Sequence, residues 1–113
     1  MKKPILSDPA TVLDLAKRLM QRPAAPYFEH GTRSAALEFC AEHGLEVATD
    51  PVGNVFVSLN RAPNLRPLVL AAHLDHPGFA VERQLGPRRF VLRFNGGVPD
   101  EYFRNGVRVR LQP

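Results

Sequence analysis

The chain has one cysteine in 113 residues, Cys40, which excludes an internal disulfide and leaves the fold to packing alone. Cys40 sits among the apolar residues of a helical pattern, where a packed, inert thiol is expected rather than a nucleophile. No apolar run approaches the ~20 residues of a membrane-spanning helix. The opening "MKKPILSDPA" has two lysines with no apolar run behind them, so it does not read as a secretory signal. A cytoplasmic protein without a membrane partner is the expectation. Internal repeats and low-complexity tracts are also lacking. Nor is there a phosphate cradle: "NGG" at 95–97 resembles one, but no helix pattern follows to supply an N-terminal dipole, so it reads as a loop turn.

What is present describes one ordinary globular domain. Hydrophobic residues make up 44% and charged residues 23%, which is neither a disordered nor a membrane composition. The net charge of +4 is unevenly placed. Residues 1–60 hold six Lys or Arg against seven Asp or Glu, and residues 61–113 hold nine against four. The late excess is all arginine, but it is spread through alternating strand patterns instead of clustering with aromatics. It reads as the solvated face of a sheet, with no nucleic-acid partner.

Hydrophobic periodicity changes along the chain. In "SDPATVLDLAKRLMQ", Ser7 or Asp8 is a candidate N-cap and Pro9 suits the first turn. Val12, Leu15, Ala16 and Leu19 then follow at helical spacing. After "RPAAPYFEH", a second helix is predicted over "GTRSAALEFCAEHG", with Ala36, Leu37 and Cys40 on one side and Gly44 as its stop. The period then shortens to two. "LEVATD", "NVFVSL" and "PLVLAAHLD" read as strands, and "GFAVERQ", "RRFVLRF" and "GVRVRLQ" as three shorter ones. "DPVGN" between the first two strands is a tight turn, with Pro51, Gly53 and Asn54 in turn-forming positions.

The segment "PLVLAAHLDHPGFAVE" carries the chemistry. "LVLAA" is apolar on both faces, as a central, covered strand should be, and ligands in such sheets gather beyond the carboxyl ends of the strands. His73 and Asp75 stand at that end, and their two-residue spacing turns both side chains to one face. A histidine beside a carboxylate can bind a metal through one ring nitrogen while the carboxylate fixes the other. A strand-end histidine satisfied by hydrogen bonds presents the same three residues, and both readings fit. His76, next to a Pro-Gly break, reads as a surface residue.

"TDPVGNVFVSL" followed by "LVLAAHLDHPGFAVE" resembles the dinuclear zinc aminopeptidases, whose catalytic domains carry an Asp-x-x-Gly-Asn-Val hairpin and then an apolar strand ending in His-x-Asp. "HLDHPGFAV" and the later "FNGGVP" and "NGVRVRL" look most like the glutamyl and tetrahedral aminopeptidase group. In that group a Gly-Phe follows the His-x-Asp segment and the chain enters a small β domain inserted into the catalytic one. "RPAAPYFEHGTRSAALEFCAEHGLEV" is similar to the opening of these enzymes, where an Ala-Pro and a Glu precede a helix that packs on the sheet. The resemblance covers nearly the whole chain, with order and spacing agreeing across four segments.

The resemblance implies an α/β fold: the N-terminal part of an aminopeptidase-like sheet flanked by two helices over 1–77, then the start of a small inserted β domain over 78–113. It makes His73 the first zinc ligand and Asp75 the catalytic-site carboxylate that orients it. Asp50, Gly53 and Asn54 match the structural hairpin, without a catalytic role. The group has an acidic residue where His76 stands and an aliphatic one at Pro77. It also takes its bridging Asp, general-base Glu and remaining ligands from chain beyond the inserted domain, whereas here Asp100 and Glu101 are the only later carboxylates after Glu82. The chain therefore reads as an N-terminal portion of a longer hydrolase, inactive by itself. The complete enzyme would carry two divalent ions, zinc or cobalt, act on peptide substrates and form a homo-oligomer. A non-catalytic α/β binding or assembly module with the same fold is the alternative. A sugar- or acyl-group hydrolase of the same clan is a third reading.

Overall fold

The computed structural model describes residues 8–59, 64 and 66–112. Two helices come first: α1 (Pro9–Met20) and α2 (His30–Glu42). Asp8 caps α1, its carboxylate accepting from the Thr11 amide at 2.9 Å and the Thr11 hydroxyl at 2.6 Å. These hydrogen bonds hold the Asp8 carboxyl below its usual pKa. The other cap candidate, Ser7, lies outside the described residues. α2 ends in a Schellman motif. The Leu45 amide donates to the Cys40 carbonyl, the Gly44 amide donates to the Ala41 carbonyl, and Gly44 takes φ +62°. Arg18 near the end of α1 reaches Glu42 through two hydrogen bonds of 2.7 and 2.8 Å and Glu38 at 3.2 Å.

Among the described residues, the sheet structure is two separate antiparallel ladders. β1 (Glu46–Thr49) pairs with β2 (Val55–Ser58), with Val47 opposite Val57 and Thr49 opposite Val55, and α2 packs against both strands. β3 (Gly78–Gly86) pairs with β4 (Arg89–Asn95), with Phe79 opposite Phe94 and Val81 opposite Leu92. Register shifts fall between Val81 and Arg83 and between Gln84 and Gly86. A 3-10 turn at Asp100–Tyr102 follows, and Phe103 beyond it closes an aromatic cluster, its ring 4.8 Å from Phe94 and 6.1 Å from Phe79. Arg89 and Arg93 alternate along β4 with Phe90, Leu92 and Phe94, as a two-faced strand requires.

The β1–β2 turn is built on Asp50. Its carboxylate accepts from the amides of Val52 (3.1 Å) and Asn54 (2.8 Å) and from the Asn54 side chain (2.7 Å). The Asn54 side-chain bond leads in holding the Asp50 carboxyl below its usual range. The Gly53 amide closes the turn on the Asp50 carbonyl at 3.0 Å, and Gly53 itself takes φ +93°, which a side chain resists. Gly53→Val is therefore expected to destabilise the chain by about 1 kcal/mol or more. A urea midpoint unchanged from wild type, followed by circular dichroism, would show that the turn tolerates a β-branched residue.

The mixed α/β content matches the sequence, but two of its predicted strands are unpaired. Residues 67–75 and 106–112 belong to neither ladder. A strand assignment needs a neighbour's backbone as well as a suitable pattern, and among the described residues none lies alongside. The apolar side chains of the first segment are accordingly bare: Leu68 is 86% exposed, Val69 77% and Leu70 87%. Burial among the described residues is confined to Ala24, Thr32, Ala35 and Cys40, around α2. Cys40 is thus a packed free thiol, as its helical context predicts. The radius of gyration is 18.3 Å, against about 13 Å for a compact domain of this length. The accessible surface is 10182 Å², against about 6,200 Å² for a globular protein of this mass.

Candidate metal-ligand site

His73 and Asp75 lie at the carboxyl end of the bare apolar segment, and the structure brings their side chains together. The His73 Nδ1 is 3.1 Å from Asp75 Oδ1 and 2.9 Å from the Asp75 carbonyl oxygen. Both partners are acceptors, so the proton belongs on Nδ1 and the Nε2 lone pair is left pointing away from them. The histidine side chain is 79% exposed and the aspartate 38%. An oriented, accessible imidazole nitrogen is the form in which histidine binds a metal.

The segment just beyond is anchored from three directions. The His76 amide donates to the Ala24 carbonyl at 2.6 Å, tying the His-Pro-Gly turn to the buried start of the Ala-Ala-Pro loop. A Cβ on Gly78 would stand 3.0 Å from the Cβ of Ala25, and one on Gly96 would stand 2.8 Å from Pro77. The Asn95 side chain reaches the Pro26 carbonyl at 3.4 Å. The "AAP", "HPG" and "NGG" stretches thus meet at one place, which fixes where Asp75 ends and β3 begins. His76 itself is exposed, as expected for a surface residue.

Tyr27 sits beside this junction with φ +74°, the only positive φ at a non-glycine among the described residues. Its amide donates to Glu29 Oε1 at 2.7 Å, and the Phe28 amide donates to the Ala25 carbonyl at 2.8 Å. These bonds hold the backbone in a conformation that costs roughly 1–3 kcal/mol. Nothing in the sequence marked Tyr27, since tyrosine carries no propensity for the left-handed region. Only the prolines and Glu29 hinted at an organised loop.

Among the described residues no three His, Cys, Asp or Glu side chains are arranged to hold a metal ion. Asp100 and Glu101 lie in the exposed 3-10 turn. An open cleft of about 600 Å³ lies elsewhere, lined by Asp14, Lys17, Arg18, Gln21, Arg22 and Arg110. Arg18 there is already committed to Glu38 and Glu42, which hold its guanidinium charged. Neither His73 nor Asp75 borders that cleft, so it is not a substrate pocket for the pair. No helix of the described residues is long and apolar enough to cross a membrane. Protein-family models, curated proteins and solved structures were all compared with this chain, and none matches it.

Proposed function

We propose that the chain is the N-terminal portion of a metal-dependent aminopeptidase that hydrolyses N-terminal residues from peptides, with His73 a zinc or cobalt ligand and Asp75 its orienting carboxylate. The observation that carries this reading is the 3.1 Å contact between His73 Nδ1 and Asp75 Oδ1, which leaves Nε2 free at the end of an exposed apolar segment. The same reading makes 67–75 an inner strand of an α/β sheet flanked by α1 and α2, with β3 and β4 opening a small inserted β domain. The complete protein would be a cytoplasmic homo-oligomer.

The residues present fit one ligand of such a site and no more. Catalytic zinc takes about three protein ligands and a water, and a two-metal site takes more. Here His73 supplies one and Asp75 orients it, so the remaining ligands, the bridging carboxylate and the general base would come from chain outside this sequence. Bound metal in the complete enzyme supplies an activated water for attack on the peptide carbonyl. The contribution of this chain is to fix the imidazole tautomer and hold the ring still.

Elemental analysis of the complete protein tests the reading directly. Two divalent ions per chain are expected, and an active enzyme free of metal would overturn it. The 113-residue chain alone, supplied with zinc or cobalt, is expected to turn over no aminoacyl-p-nitroanilide. Turnover after contaminating proteases are removed would show that its ligand set is larger than His73.

A further inference from the structure

The open cleft of about 600 Å³ beside α1 collects more positive charge than the fold accounts for. Asp14, Lys17, Arg18 and Gln21 stand three and four positions apart, so they share one face of the helix and its cap. Arg22, just past the helix end, and Arg110, 88 residues further on, complete the wall. Arg18 is balanced by Glu38 and Glu42, and Lys17 in the last turn suits the negative end of the helix dipole. Neither account extends to Arg110. It arrives from the 106–112 segment, which joins neither ladder, and like Lys17 and Arg22 it has no carboxylate partner among the described residues. Asp14, the only acidic residue of the wall, forms no ion pair with any of them.

We infer that this cleft binds the phosphate monoester of a small polar molecule. Like charges drawn together from distant parts of a chain repel, and a cleft lined by one sign of charge concentrates ions of the other. Lys17, Arg22 and Arg110 against Asp14 leave an excess of two positive charges. That matches the roughly −1.5 to −2 carried by a phosphate monoester at pH 7. Guanidinium forks fit phosphate oxygens two at a time, and the Lys17 ammonium adds a point charge. The volume lies within the ~300–1,000 Å³ of small-molecule sites, so an organic group fits beside the phosphate. No aromatic or aliphatic residue lines the cleft, which selects a polyol or sugar over a nucleobase that would need a stacking face. A wall that is charged and polar throughout also asks for no cover from further chain, unlike the apolar 67–75 segment. The site is independent of the metal-ligand reading, since neither His73 nor Asp75 borders it.

Calorimetric titration with glycerol phosphate at fixed low ionic strength, on the 113-residue chain and on the complete protein, reads the binding. One saturable site per chain is expected in both. Arg22→Gln and Arg110→Gln are each expected to weaken it by about tenfold or more, as the loss of a hydrogen bond to a charged group does. Asp14→Asn is expected to tighten it, because the one opposing charge of the wall is removed. Arg89→Gln takes the same charge from β4, away from the cleft, and is expected to leave the affinity near wild type, as is His73→Ala. Asp14, Arg22, Arg89 and Arg110 are all exposed, so these changes leave packing intact. Inorganic phosphate is expected to bind more weakly than the ester, and glycerol not at all. Equal weakening by Arg89→Gln and Arg110→Gln would reduce the effect to net charge and overturn the proposal. So would an absence of saturation, tighter binding of inorganic phosphate, or a single-stranded oligonucleotide that binds and is not displaced by the ester. Binding to the 113-residue chain that is lost in the complete protein would overturn it as well, because the rest of the chain would then fill the cleft.

Discussion

On the proposed peptidase reading, His73→Ala in the complete protein is expected to nearly abolish activity and to lower bound metal, while Asp75→Asn keeps most of the metal and turns over more slowly. The two effects separate because the side chains have different jobs. Removing the imidazole deletes the Nε2 donor itself. Removing the charge of Asp75 leaves an amide oxygen that still accepts from Nδ1, so the ring keeps its tautomer but loses the negative charge that makes Nε2 a stronger donor. Loss of such an orienting partner costs on the order of 10 to 100-fold in affinity or activity. A purely structural pair predicts a different pattern. His73 is exposed and its hydrogen bonds among the described residues go to Asp75, so both variants would then shift stability slightly and leave metal content alone. Elemental analysis and peptidase rates on both variants distinguish the two. Full metal and full activity in His73→Ala would overturn the assignment of His73 as a ligand.

The local structure was legible where a residue and its partner lie close in sequence. Asp8 capping Thr11, Gly44 ending α2 and Asp50 organising the turn to Asn54 all follow from groups within five residues of one another. The His73–Asp75 contact belongs to the same class, since the two residues are only two positions apart. Longer-range features were not legible. That 67–75 and 106–112 pair with no strand among the described residues depends on which other strands are near, and an apolar pattern states only that a strand needs cover. The meeting of Ala24 with the His76–Pro77 turn joins segments more than fifty residues apart, and that of Pro77 with Gly96 segments nineteen apart, through close backbone approaches that leave no trace in hydropathy. The left-handed Tyr27 is the extreme case, because its conformation is imposed by Glu29 and the surrounding loop against its own preference.

Gly96→Ala is expected to destabilise the chain by about 2 kcal/mol or more, and Gly97→Ala by no more than about half a kcal/mol. The neighbours differ only in what a methyl group would meet. At Gly97 an added Cβ enters open space, and its φ lies outside the left-handed range. At Gly96 φ is +133°, and the Cβ would stand 2.8 Å from both the Cα and the Cβ of Pro77. Pro77 cannot yield as a flexible side-chain tip would. Its ring fixes its backbone, and the residue before it is bonded to Ala24. The methyl therefore either strains Gly96 or pushes the end of β4 off the His-Pro-Gly turn, at a cost typical of overpacking. Because Pro77 lies two residues beyond Asp75, the displacement should also reach the His73–Asp75 contact. Urea denaturation followed by circular dichroism gives the stability difference. The His73 imidazole resonances in nitrogen-proton NMR spectra report whether Nδ1 still carries its proton. Equal midpoints for the two alanine variants would show that β4 does not press on Pro77, and that the site is held from the Ala24 side alone.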